Sequence, residues 1–219
     1  MFLKRLIIKI LSVFFLQNAT KLPQYAYNVC VMTNHEDCNE KSDSELVKLS
    51  LDNSDHFLCL TRRYEDKLLR YIMRISRLDR EDAEDILQDV FIKTYYNLNE
   101  FNPDLKFSSW IYRIAHNQTI SEIRKKSIRP TISLEKEDID RFEDAFDIVK
   151  DIDNSIDRQK IDEALSMLDE KYREVLILRF LDEKDYVEIA DILKKPTSTV
   201  GNLIARGKIL FKKEYEKLK

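Results

Sequence analysis

Thr197, Ser198, Thr199, Asn202 and Arg206 stand together near the start of one helical pattern. Hydroxyls, an amide and a guanidinium in that position are the groups that hydrogen-bond base edges and phosphates at a helix N-terminus. The stretch before them carries Tyr186, Ile189, Ala190 and Leu193 at i, i+3, i+4 and i+7, a short amphipathic helix. It ends in the turn Lys194, Lys195, Pro196, after which Val200, Leu203 and Ile204 give a second helix its apolar side. That is the spacing of a helix-turn-helix, with small Ala190 where the two helices cross and Pro196 at a helix start, where its missing N–H costs nothing. Gly201 costs about 1 kcal/mol relative to alanine inside a helix, so it predicts a close backbone approach there. Lys208, Lys212 and Lys213 carry the positive charge onward. Spacing alone leaves a plain helical hairpin with a solvated basic tail as the alternative.

Two further clusters carry chemistry. Trp110 and Tyr112 precede a stripe of Arg113, Asn117, Ser121 and Arg124 or Lys125 at i, i+4, i+8 and i+11 or i+12. Aromatic rings interleaved with bases and amides suit unstacked, single-stranded bases, although Trp110 and Tyr112 taken singly read equally well as core. His116 reads as a surface or capping histidine. Upstream, Asp85, Gln88, Asp89 and Ile92 share one helical face, a surface for another protein or simply a solvated acidic face. Two carboxylates at i, i+4 can ligate a metal, but no histidine or further acid falls at matching spacing, so no metal is assigned. A second metal pattern, His35 with Cys38 and His56 with Cys59, has zinc-like pairs. Cys59, however, lies in an apolar helical pattern with Phe57, Leu60 and Tyr64, where it reads as a small buried hydrophobe.

These groups need helices to position them, and the composition supplies little else. The 219 residues include 2 Gly and 4 Pro, too few for sheets joined by tight turns, so the fold class is all-α. Collagen-like, disordered and disulfide-scaffold classes are excluded by the same composition. Apolar residues recur at helical spacing over 57–75, 83–96, 110–123, 161–168, 172–180, 186–193 and 197–218, with a turn at Asn102, Pro103 and Asp104. The formal charge is −3, which argues against coating DNA by bulk charge. Locally the balance swings: residues 105–130 hold six bases against one acid, 131–160 five against ten, and 194–219 eight against two. Two small helical domains, 32–128 and 159–219, are therefore expected either side of an acidic linker, 129–158, with a short helix near 142–148. Residues 1–31 have an apolar run too short to span a bilayer and no cleavage pattern. They read as an extension upstream of a chain that starts at Met32. Three cysteines, Cys30, Cys38 and Cys59, make no disulfide framework and suit a reducing compartment, the cytoplasm.

Four strings then become recognisable together: Asp85, Gln88, Asp89, Val90 and Phe91; Phe107 with Trp110 to Asn117; Leu168 with Tyr172, Arg173, Glu174, Val175, Arg179 and Phe180; and Tyr186, Glu188, Ile189 and Ala190. In order and separation, across residues 42–218, they resemble the extracytoplasmic-function sigma factors of bacterial RNA polymerase. The resemblance implies a region 2-like helical bundle over 32–128 and a region 4-like helix-turn-helix over 159–219. It implies that Asp85, Gln88, Asp89, Val90, Phe91 and Ile92 bind core polymerase. Asn102, Ser108, Trp110, Tyr112, Arg113, Asn117, Ser121, Arg124 and Lys125 would read and melt the minus-10 element. Thr197, Ser198, Thr199, Gly201, Asn202, Arg206 and Lys208 would read the minus-35 element. The partners implied are core polymerase, promoter DNA and an anti-sigma factor, with no small-molecule substrate, cofactor, catalytic residue or stable membrane insertion. The competing reading is an autonomous helix-turn-helix regulator, which needs a dimer interface that the sequence does not display. Three departures stand out: many relatives carry an acid where Ser121 stands, glycine where Lys194 stands, and a more basic recognition helix than the one around Gly201, Asn202 and Leu203.

Overall fold

The structure, a computed structural model, describes residues 35–126 and 155–218. Every regular element among the described residues is helical: α1 (His35–Glu40), α2 (Asp43–Asp52), α3 (Phe57–Ser76), α4 (Arg80–Tyr96), α5 (Phe107–Lys126), α6 (Ser155–Met167), α7 (Glu170–Leu176), α8 (Tyr186–Leu193) and α9 (Thr197–Glu216). Short 3-10 turns lie at Ser54–His56 and Leu98–Glu100, and one π-turn at Ile177–Leu181. No helix among the described residues is long and apolar enough to cross a membrane. The expected extension over 1–31, the short helix near 142–148 and the linker over 129–158 as far as residue 154 lie outside the described residues.

The described residues divide into two compact units, one holding 35–69 and 80–115, the other 70–79, 116–126 and 155–218. In the first, the core is an aromatic stack. Phe107 lies 5.6 Å from Tyr64, 5.5 Å from Phe101 and 5.7 Å from Trp110, and Phe101 and Trp110 are 5.3 Å apart, all tilted or edge-on as ring quadrupoles prefer. Phe57 meets Phe91 and Tyr95 of α4 in the same way. These contacts fix the loop 101–106 at the foot of α5. Helix α2, absent from the helical stretches read in the sequence, starts in a capping box. Ser42 Oγ accepts from the Glu45 N–H, and the Glu45 carboxylate accepts from the Ser42 N–H at 2.7 Å. Those hydrogen bonds hold the Glu45 carboxyl below its ordinary value.

In the second unit α7 and α9 make the main helix-on-helix contact. Gly207 sets its distance: a Cβ there would meet three atoms of the Leu176 side chain at 3.1–3.3 Å. The close approach expected at Gly201 is therefore found six residues later, at Gly207, about one and two-thirds turns along the helix. At Gly201 a Cβ would meet only Tyr186 at an ordinary 3.8 Å. Ile189, Val200 and Ile204 are buried, whereas Ala190 and Leu203, read as core from spacing, are half-buried. The helix expected over 172–180 is in fact α7 followed by the π-turn, whose wide ring lets Asp182 N–H reach Ile177 O.

Candidate functional site

Helix α8 begins in a second capping box: Asp185 accepts from the Glu188 N–H at 2.8 Å, and Glu188 accepts from the Asp185 N–H at 2.9 Å. It ends at Lys194, whose φ of 52° and ψ of 45° are left-handed. That conformation explains why glycine suits this position, since a Cβ is strained there. Lys194 Nζ also donates to Asp191 at 2.9 Å. The chain reverses through Lys195 and Pro196, and α9 starts with Val200 and Ile204 turned inward. Thr197, Ser198, Thr199 and Asn202 are all exposed, so the first turns of α9 present short hydrogen-bonding groups beside free backbone N–H groups. Gly201, Arg206 and Lys208 are half-buried. Lys208 Nζ sits 5.5 Å over the Phe180 ring, and Arg206 Nε is buried without a hydrogen-bond partner.

The other two clusters divide between surface and core. On α4, Asp85 is exposed and Asp89 and Ile92 are half-exposed, forming one face. Gln88 is 6% exposed, and Val90 and Phe91 are fully buried. Val90 and Phe91 sit about a third of a turn away from the acidic face and pack the unit from inside, so the accessible part of this string is Asp85, Asp89 and Ile92. On α5 and the loop before it, Asn102, Asn117, Ser121, Arg124 and Lys125 are exposed, and Ser108 and Arg113 half-buried. Asn102 also closes its own turn, accepting from the Asp104 N–H at 3.0 Å. Trp110 and Tyr112 are buried, and Trp110 belongs to the aromatic stack, so neither ring is an open platform for a base.

His116 is not the surface histidine expected from the sequence. Its side chain is 14% exposed, and its Nδ1 lies 3.1 Å from the Tyr71 hydroxyl and 3.9 Å from Glu174 Oε1. Burial, with the positive charges of Lys195 and Arg124, takes the imidazole down to about 4. Burial, reinforced by Glu170, pushes the Glu174 carboxyl up to about 8. Both groups are thus held neutral near pH 7, and the contact is a neutral one rather than an ion pair despite its length.

Cys38 and Cys59, in a chain whose three cysteines suggested no disulfide framework, are joined as a disulfide, and Cys59 is buried as its helical pattern suggested. Among the described residues no group of three or more His, Cys, Asp or Glu side chains is placed to hold a metal ion.

Comparison with known proteins decides the family. Sigma-70 region 2 matches residues 60–128, and sigma-70 region 4 matches residues 158–210. The chain is 34% identical over 178 residues to the ECF RNA polymerase sigma factor SigW of Bacillus subtilis strain 168, spanning 76% of this chain and 92% of that protein. The chain belongs to the ECF sigma factors. Its fold is shared with CnrH, solved in complex with the cytosolic domain of CnrY, at a TM-score of 0.61 and 20% identity over 81% of this chain and 99% of that one. It is shared also with RpoE of Bartonella quintana, solved with the anti-sigma factor NepR, at a TM-score of 0.57 and 19% identity over 73% and 96%.

Within this sigma factor the region 4 match covers α8, the Lys194 turn and the start of α9, where the exposed hydroxyls and amide lie. The region 2 match covers α4 and α5. Sequence reasoning missed the residues that brace them. Arg179 donates to Lys184 O at 3.0 Å and lies 5.3 Å from the Tyr186 ring, stapling the entry to α8. Asp185 and Glu188, three apart ahead of an apolar run, were the legible signal for that helix start.

Proposed function

We propose that this sigma factor directs RNA polymerase to promoters through three surfaces with separate tasks. The exposed face of α4, Asp85, Asp89 and Ile92, binds core polymerase. Asn102, Ser108, Arg113, Asn117, Ser121, Arg124 and Lys125 meet the minus-10 element, with Trp110 and Tyr112 shaping the helix from within. Thr197, Ser198, Thr199 and Asn202 read the minus-35 element, with Gly201 allowing α9 to approach and Arg206 and Lys208 flanking it. The observation that carries this reading is the row of exposed short polar side chains at the start of α9, directly after the left-handed turn at Lys194.

The division also follows from charge. A chain of net −3 whose basic residues gather in two blocks binds duplex DNA weakly alone and better when a large partner adds contacts. Recognition is then conditional on polymerase, an anti-sigma protein is the natural inhibitor, and the protein works in the cytoplasm without a catalytic residue of its own. The domains 32–128 and 159–219 and the acidic linker between them are the parts of this device. Transcription reconstituted from core polymerase and fragmented genomic DNA, with start sites sequenced, tests it. Discrete new starts that share two short upstream elements support the reading. Tight duplex binding without polymerase, and no new starts, would replace it with an autonomous helix-turn-helix regulator.

A further inference from the structure

Cys38 and Cys59 are 21 positions apart in sequence, yet their Cα atoms are 5.4 Å apart and their sulfurs are bonded. The two ends differ. Cys59 sits on α3 between Phe57 and Leu60 and is 5% exposed, whereas Cys38, on the six-residue α1, is half-exposed. The segment that carries Cys38 is also held by non-covalent contacts. Arg63 Nη2 donates to Cys38 O at 2.6 Å and to Lys41 O at 2.9 Å, and its Nη1 pairs with Asp43 Oδ1 at 2.5 Å. The Tyr64 hydroxyl donates to the other Asp43 oxygen.

This arrangement has a physical consequence. The Arg63 fork keeps the two thiols neighbours after the bond is broken, so closure is an intramolecular step with a high effective concentration. A protein that works on chromosomal DNA meets a reducing environment, where a disulfide is typically transient and sensing rather than a permanent staple. An exposed sulfur beside a buried one provides a point of attack and a resolving partner.

We propose that Cys38 and Cys59 form a reversible redox site that tightens and loosens the docking of α1. A hydroperoxide oxidises the exposed Cys38 thiol to a sulfenic acid, leaving an alcohol or water. The Cys59 thiol then attacks that sulfur, water departs, and the disulfide forms, so two thiols and one hydroperoxide give one disulfide, one alcohol or water, and one further water. A protein dithiol of the thioredoxin class reverses it by exchange, becoming a disulfide as both cysteines return to thiols. Closing the loop removes freedom from the segment 38–59. Reduction leaves α1 held by the Arg63 fork without the covalent bond, so that it opens locally more often, while the capping box and the Asp43 contacts still hold α2.

The test uses the full chain, reduced and then exposed to one equivalent of hydrogen peroxide. Three titratable thiols are expected to fall to one, with peptide mapping placing the bond between Cys38 and Cys59 and thioredoxin restoring all three. Trypsin should cut after Lys41 about tenfold more slowly in the oxidised protein, because local opening is suppressed. Cys38→Ala, at the half-exposed end where folding is least at risk, should abolish both effects, while Cys30→Ser should leave them. A bond to Cys30, a disulfide-linked dimer, a bond thioredoxin cannot reduce, or zinc retained stoichiometrically by the reduced protein would each overturn the proposal. The thiol chemistry is independent of transcription: a protein that directs no initiation in either redox state would count against the sigma reading and leave this site standing.

Discussion

Helix α4 and helix α9 were both singled out by short contiguous strings, and they treat those strings differently. In α9 four of the seven residues nominated as DNA contacts, Thr197, Ser198, Thr199 and Asn202, are exposed, and Gly201, Arg206 and Lys208 are half-buried rather than core. In α4 the string from Asp85 to Ile92 winds through two full turns, so it necessarily includes both surface and core. Asp85 faces out while Val90 and Phe91 are completely buried. A motif at the start of a helix can be mostly functional because the first turn is where backbone groups and side chains both face solvent. A motif in mid-helix cannot, because 3.6 residues per turn spread it over both faces.

The strongest way to break this contrast is Phe91→Ala. Emptying a fully buried aromatic site should cost about 3–5 kcal/mol and shift the urea midpoint of the first unit steeply, whereas Asp85→Ala should leave stability within about 0.5 kcal/mol and weaken capture of core polymerase. Equal effects of the two on stability would dissolve the distinction between packing and contact on α4.

The second unit has its own test in pH. The raised Glu174 carboxyl contributes stability that is full below about pH 4.5 and is lost as pH rises through about 8. The depressed His116 does the reverse: its contribution is full above pH 6.5 and lost as pH falls through about 4. Glu174→Gln should therefore stabilise the protein by about 3 kcal/mol at pH 7 and by nothing measurable at pH 4. Denaturation at the two pH values checks it, and a gain of equal size at both would point to packing rather than ionisation.

On α9, Asn202→Ala should cost about 1–3 kcal/mol of promoter affinity in the polymerase complex with no change in melting, read by competition against a promoter altered in its upstream element. A uniform loss across all sequences would make Asn202 a phosphate contact instead. The smallest effect belongs to the turn that aims this helix. Lys194→Gly should stabilise by about 1 kcal/mol, since the left-handed backbone no longer carries a Cβ, and its exposed pair with Asp191 contributes little.

Most of the helices were legible because apolar spacing reports burial directly. The stretches over 57–75 and 186–193 correspond to α3 and α8 within a residue. The helix-turn-helix was legible for the same reason, as two short amphipathic segments about a proline. What escaped depended on long-range contacts. Nothing local in Cys38 says that Cys59 lies beside it, and Arg63 reads as one more basic residue until α1 and α2 fold against it. Likewise the two glycines are equivalent on paper, and only the packing of α7 distinguishes Gly207 from Gly201. His116 was misread because a histidine with a buried tyrosine and carboxyl for neighbours has the same local sequence as one in water.

Gly207 and Leu176 share one tight contact, in which a Cβ at 207 would press on three atoms of the Leu176 side chain at 3.1–3.3 Å. In sequence space they are a coupled choice made at two positions: a methyl gained at 207 is taken up by a shift of the Leu176 side chain or by carbon given up at 176. Among descendants of this protein an alanine at 207 should travel with valine or alanine at 176, and the two columns should vary together while their neighbours along each helix drift independently.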